Sequence, residues 1–209
     1  MSKTKFYVGI VANNEDPDNL NRIQVRLNSA EEDSTTIFLR CAGRMAGNGE
    51  GLCAIPNVND QVLVARTETG EDIVLGRLWN ETQKPPESGE NGNADFNKDK
   101  KNSLNFIKTK SGNKIIFDDT DNDEKIQIIS SKNDTRIELC AKDKKILLKG
   151  EKISMSAKGD ISIKSKNIKV KATDTISIES QNLFSRASGE TKLEASGDLT
   201  LKGKSIGLN

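Results

Sequence analysis

The chain has 209 residues, of which 33% are hydrophobic, 4% aromatic and 30% charged, with 32 Lys and Arg against 31 Asp and Glu. The length excludes a large multidomain enzyme, the balanced charge argues against a surface built to neutralise nucleic-acid phosphates, and so little apolar volume cannot fill one compact globule. With no histidine, and with Cys41, Cys53 and Cys140 forming no CxxC pair, imidazole zinc sites and Ser-His or Cys-His nucleophiles are excluded as well.

In chain order, the opening apolar stretch soon meets Asn, Glu and Asp. It reads as neither a signal peptide nor a membrane anchor, so synthesis in the cytoplasm is expected. Short runs with β character follow at 5–12, 22–28, 35–41, 61–66 and 72–79. Alternations such as Ile23-Gln-Val25-Arg-Leu27 and Val62-Leu-Val64 give each strand one buried face. Five such strands within about 80 residues suit a small closed barrel, and a sandwich is the alternative. Residues 43–51, with glycines at 43, 47, 49 and 51, read as a loop. They lack the Lys-Ser/Thr pair and following helix of a phosphate cradle. Residues 81–103, polar and with Pro85 and Pro86, read as a linker between a barrel at 1–80 and a second module at 104–209.

The second module is a ladder of two-residue apolar steps, including Ile126/Ile128, Ile137/Leu139, Ile146/Leu148, Ile153/Met155, Ile161/Ile163, Ile168/Val170, Ile176/Ile178, Leu199/Leu201 and Ile206/Leu208. Lys, Ser, Thr, Glu and Asp fill most positions between. Positions 146, 161, 176 and 206 are all Ile at multiples of fifteen residues, with Thr191 in the fourth slot, and Ile153, Ile168 and Leu183 fall between them. The repeat unit is therefore two strands of seven and eight residues, separated by turns such as Lys158-Gly159-Asp160 and Ser196-Gly197-Asp198. A strand with two inward apolar residues cannot bury them alone. Three chains winding about one axis would close a continuous core of these residues and pair every interior edge. A single-chain β-solenoid with a fifteen-residue coil is the alternative that periodicity leaves open.

Three segments carry recognisable motifs. The first runs from Gly9 through Asp16-Pro17 to Asn21-Arg22-Ile23-Gln-Val25, similar to a G-x-V…D-P…G-R-V-x-V opening, with Asn21 in the place of the commoner glycine. Asn tolerates positive φ, so the turn can survive that exchange. The second, Pro56-Asn57-Val58-Asn59-Asp60-Gln61-Val62-Leu63-Val64, resembles P-x-V-G-D-x-V-L-V, and the third, Val74-Leu75-Gly76-Arg77-Leu78-Trp79-Asn80, resembles a closing V-x-G-x-L-Y/W-N strand.

Together these motifs resemble the VgrG and phage baseplate assembly protein V spikes of contractile injection systems, and the resemblance implies an all-β chain: an N-terminal OB-fold barrel followed by a triple-stranded intertwined β-helix in a homotrimer. Its trimer core would be formed by Ile146, Leu148, Ile153, Met155, Ile161, Ile163, Ile168, Val170, Ile176, Ile178, Leu199 and Leu201, with Ile206 and Leu208 at the apex. It implies a non-enzymatic central spike, at the tip of an injection particle and ejected on contraction. The needle would be on the order of 55 Å long from roughly twelve strands at about 4.8 Å spacing. Implied partners are a separate trimeric tail hub at the barrel end, tail-tube and baseplate proteins, a PAAR-like tip protein at the C-terminal end, and the target membrane in passing. No cofactor, metal or nucleic acid is expected. Some relatives carry a lysozyme between the two modules or a His-x-His iron at the apex. The linker is too short for the first and the chain lacks histidine for the second.

Among rival classes, an oligonucleotide-binding barrel would need more exposed aromatics than Phe6, Tyr7 and Trp79. The acidic run Asp118-Asp119-Thr120-Asp121-Asn122-Asp123-Glu124 reads as a solvated turn; it lacks the glycine and terminal glutamate of an EF-hand loop. A trimeric β-helical fibre or adhesin is the functional alternative.

Overall fold

The computed structural model describes residues 4–27, 35–86, 100–132 and 134–207. Among these the chain is all-β, with ten strands and no helix. It divides into two compact units, Met1–Ser154 and Met155–Asn209.

The first five strands are β1 (Lys5–Asn13), β2 (Gln24–Leu27), β3 (Arg40–Cys41), β4 (Gln61–Arg66) and β5 (Asp72–Leu78), in the order β2-β1-β4-β5-β3. All pairings are antiparallel except β3 with β5. Reciprocal backbone bonds between Ile23 and Leu39 (3.0 and 2.7 Å), with Thr36 N–H donating to Val25 O, join the approach to β3 back to β2 and close the sheet into a barrel. The interior holds Val11, Ile23, Val25, Leu39, Val62, Val64 and Val74, with Tyr7, Leu27, Cys41 and Ile55 packed around them. These are largely the inward members of the alternations read from sequence. Valine dominates because a five-stranded barrel is narrow and its strands favour β-branched side chains. The expected strand at 35–41 contracts to Arg40–Cys41, preceded by single bridges at Thr35 and Leu39, and residues 43–51 are a loop pinched by an Ala46–Gly51 bridge.

The linker begins later than expected. Asn80 Oδ1 accepts the N–H groups of Thr82 and Gln83, and Gln83 reaches back to the turn before β4. There its amide nitrogen donates to Asn59 O (3.1 Å) and Asp60 Oδ1 (3.2 Å), while its oxygen accepts Gln61 N–H. Residues 80–83 thus belong to the barrel, and most of the remaining linker lies outside the described residues.

The stretch expected as one spike module contains two kinds of structure. From 104 to 149 the chain forms a five-stranded antiparallel meander of β6 (Leu104–Lys108), β7 (Lys114–Asp118), β8 (Lys125–Ile129), β9 (Arg136–Cys140) and β10 (Lys145–Lys149), each strand paired with the next. The proposed core positions Ile146 and Leu148 lie on β10, opposite Leu139 and Ile137. From 150 to 207 no strand pairs with another within the chain; the backbone is a run of unpaired segments separated by bends. A single-chain solenoid requires coil-to-coil ladders, and the described residues contain none there.

Candidate assembly surface

Three features could carry function: a clasp on the barrel, one face of the meander, and the ladder beyond it. The clasp is built on Asp16. Its carboxylate accepts the backbone N–H groups of Asp18, Leu20 and Arg22 and takes both Nε (3.0 Å) and the terminal nitrogen (2.7 Å) of the Arg22 guanidinium. Asp18 adds a second carboxylate to Arg22. Asn19 and Asn21, both at φ 57°, supply the left-handed turns that bring Arg22 round. Asn21 is the residue read from sequence as standing in a glycine slot, and it adopts the conformation that slot requires. The same exchange occurs at Asn59 (φ 73°), in the glycine place of the second segment, which sequence reading passed over.

Although it lies at the barrel surface, the Asp16 side chain is only 4% exposed because its donors cover it. The Arg22 guanidinium, followed by the three backbone N–H groups, holds its carboxyl well below the usual carboxylate range. A carboxyl whose folded pKa is depressed stabilises the fold fully above its unfolded value, about 4, and that contribution is lost as pH falls toward the folded value. Asp16→Asn is therefore expected to lower the thermal midpoint of the barrel at pH 7 by several degrees. It should also flatten the decline between pH 4 and 2; an unchanged acid profile would show that the clasp does not contribute.

The meander has an unusual distribution of polarity. One face carries Ile107, Ile115, Phe117, Ile126, Ile128, Ile137, Leu139, Ile146 and Leu148, all exposed, from 39% at Ile115 to 72% at Ile146. Two apolar hollows of about 440 and 410 Å³ lie along it, one lined by Phe117, Ile126, Leu139 and Ile146 and the other by Ile107, Ile115, Ile128 and Ile137. The opposite face holds the charges, yet it is the covered one. Ile116 sits between Phe106 and Gln127, Ile129 sits between Lys114 and Arg136, and Ile116, Ile129 and Lys114 are all buried. Long polar side chains lay their stems over the two isoleucines there. Gln127 donates to Glu138 (2.7 Å), and Lys125 bridges Asp118 and Asp123. The acidic run is the turn between β7 and β8, with Asp118 Oδ1 capping Thr120.

Beyond residue 150 the ladder is open on every side. Ile153, Met155, Ile161, Ile163, Ile168, Val170, Ile176, Ile178, Leu199, Leu201 and Ile206 are each more than half exposed in the single chain. Leu208 lies outside the described residues. The fifteen-residue repeat is visible in the backbone: Ser165 Oγ donates to Asn167 O, and fifteen residues later Ser180 Oγ donates to Asn182 O. Single-residue bends recur at 151, 166 and 181 and double bends at 158–159, 173–174 and 188–189, the alternation of seven and eight residues made physical. A contiguous apolar surface on this scale marks a contact surface. Among the described residues no helix is long and apolar enough to cross a membrane.

A search of curated proteins returned no match. Residues 7–79 match the family described as the type VI secretion system/phage-baseplate injector OB domain. That span covers the clasp, the barrel from Tyr7 to Trp79 and all three segments of the resemblance apart from Asn80. Over that span, about a third of its length, the chain is similar to the type VI secretion system/phage-baseplate injector OB domain.

Proposed function

We propose that this chain is the non-enzymatic central spike of a contractile injection machine, in which three copies bury the apolar ladder against one another and pierce a target envelope. The observation that supports this most is the pairing of an injector-family barrel with a repeat whose inward slots, Ile153 to Ile206, are all open in a single chain. Two further copies of the same repeat offer matching strands at every level, so the edges and the apolar slots are covered together. In such an assembly strands lie across the axis and their hydrogen bonds run along it, which suits compressive load.

In this reading the barrel end meets a separate tail hub and the baseplate. A PAAR-like protein covers the far end near Ile206 and Leu208, and sheath contraction supplied by other proteins drives the whole. The test is the mass of the full-length protein in solution. Sedimentation should give three times the 22.9 kDa chain mass across micromolar concentrations. A folded monomer throughout that range would end the proposal.

A further inference from the structure

The ladder contains one irregularity that two separate observations locate at the same place. Every inward slot from Ile153 to Leu201 is aliphatic except two consecutive ones, Ser185 and Thr191. At the same level the outward position holds Phe184, 93% exposed, where Ser154, Ser162, Lys169 and Ser177 stand in earlier strands. The second observation concerns the turns. Single and double bends alternate up to 188–189, and the next bend, which the alternation makes single, is a double bend at 196–197. The step from Thr191 to Leu199 is accordingly eight residues where seven is due, and the step from Leu199 to Ile206 is seven where eight is due, so the corner is shifted by one residue and Ile206 returns to the fifteen-residue register.

Resting on the three-copy reading above, we propose that residues 185–198 form a hydrated seam across the spike interior, so that the rungs at Leu199, Leu201 and Ile206 open as a unit before the shaft does. Threefold symmetry turns each irregularity into three. Three Ser185 and three Thr191 hydroxyls face the axis in neighbouring layers, where a hydroxyl must find a partner. The displaced corner, repeated in three chains, breaks the even stacking of the layers there and gives water room to serve as that partner. Fewer aliphatic contacts and a wetter interior define the boundary of a cooperative unit.

Hydrogen exchange of the full-length assembled protein, read by mass spectrometry, tests this. Amides in 191–206 should exchange at least about tenfold faster than those in 153–178, with the step falling at 185–191. Ser185→Val combined with Thr191→Val should move that step toward the last rung, and Ser185→Val alone should reduce it. Ser162→Val at an outward slot should leave it in place. Uniform protection across 153–206 in a trimer, or a step that persists in the combined variant, overturns the seam and leaves the spike intact. A monomeric wild-type protein instead overturns the spike reading itself.

Discussion

Ile163→Asp is expected to leave the full-length chain monomeric at concentrations where the wild-type protein sediments as a trimer. Ile163 is an inward slot of the ladder, 67% exposed when the chain is alone. Three copies about one axis would bring three such side chains together, each worth ~1.5–3 kcal/mol when buried. Aspartate removes that gain and sets three carboxylates in one apolar layer, where an unpaired buried charge costs several kcal/mol and like charges add to it. Ser162→Asp, one residue away on the outward side, is the control and should assemble normally. If Ile163→Asp remains trimeric, the slot does not face the axis.

The second large effect is expected at Gly9, in the barrel. Gly9 lies opposite Leu27 in the β1–β2 pair. A Cβ built there would clash with Val25 Cγ1 and stand 2.9 Å from Arg26 O and 3.2 Å from Leu27 Cδ2. Backbone cannot yield as a flexible side chain can, so Gly9→Ala must push β2 away from β1 and disturb Val25 at the centre of the core. Such overpacking costs ~1–3 kcal/mol, and the upper end is expected because the obstacle is main chain. For a domain of this size that lowers the barrel's midpoint by roughly 10–20 °C. Near-ultraviolet circular dichroism isolates the barrel, because Tyr7 and Trp79 are the protein's single Tyr and Trp and both belong to it. A midpoint within a degree or two of wild type would refute the argument.

The barrel was legible in the sequence because each strand has one wet and one dry face. The alternations at Ile23–Leu27 and Val62–Val64 name core residues directly, and the glycine-like turn at Asn21 follows from residue type. The meander was not separated from the ladder because both are made of two-step apolar rungs, and period-two alternation is the same in either. The distinguishing signal is the spacing between rungs. Steps of 11, 11 and 9 residues from Ile115 through Ile126 and Ile137 to Ile146 leave enough chain to reverse direction, whereas the later steps of seven and eight leave only a bend. The Gln83 contacts were hidden for a different reason. Their residues are polar and sit beside prolines, which is also the composition of a linker, and only the tertiary position of the Asn57–Gln61 turn gives them partners. The covered charged face around Ile116 and Ile129 was likewise beyond a reading based on hydrophobicity alone.

The tie between Gln83 and the turn before β4 bears on how the barrel resists tension. β5 ends at Leu78, and without further attachment a pull on the following chain would strip it from β4 one hydrogen bond at a time, starting at the Leu78–Gln61 pair. Gln83 anchors to Asn59, Asp60 and Gln61 on the neighbouring segment, so the pull is borne first by several bonds at once. Unzipping becomes shearing, and the barrel's last strand is shielded from whatever drags on the polypeptide beyond it.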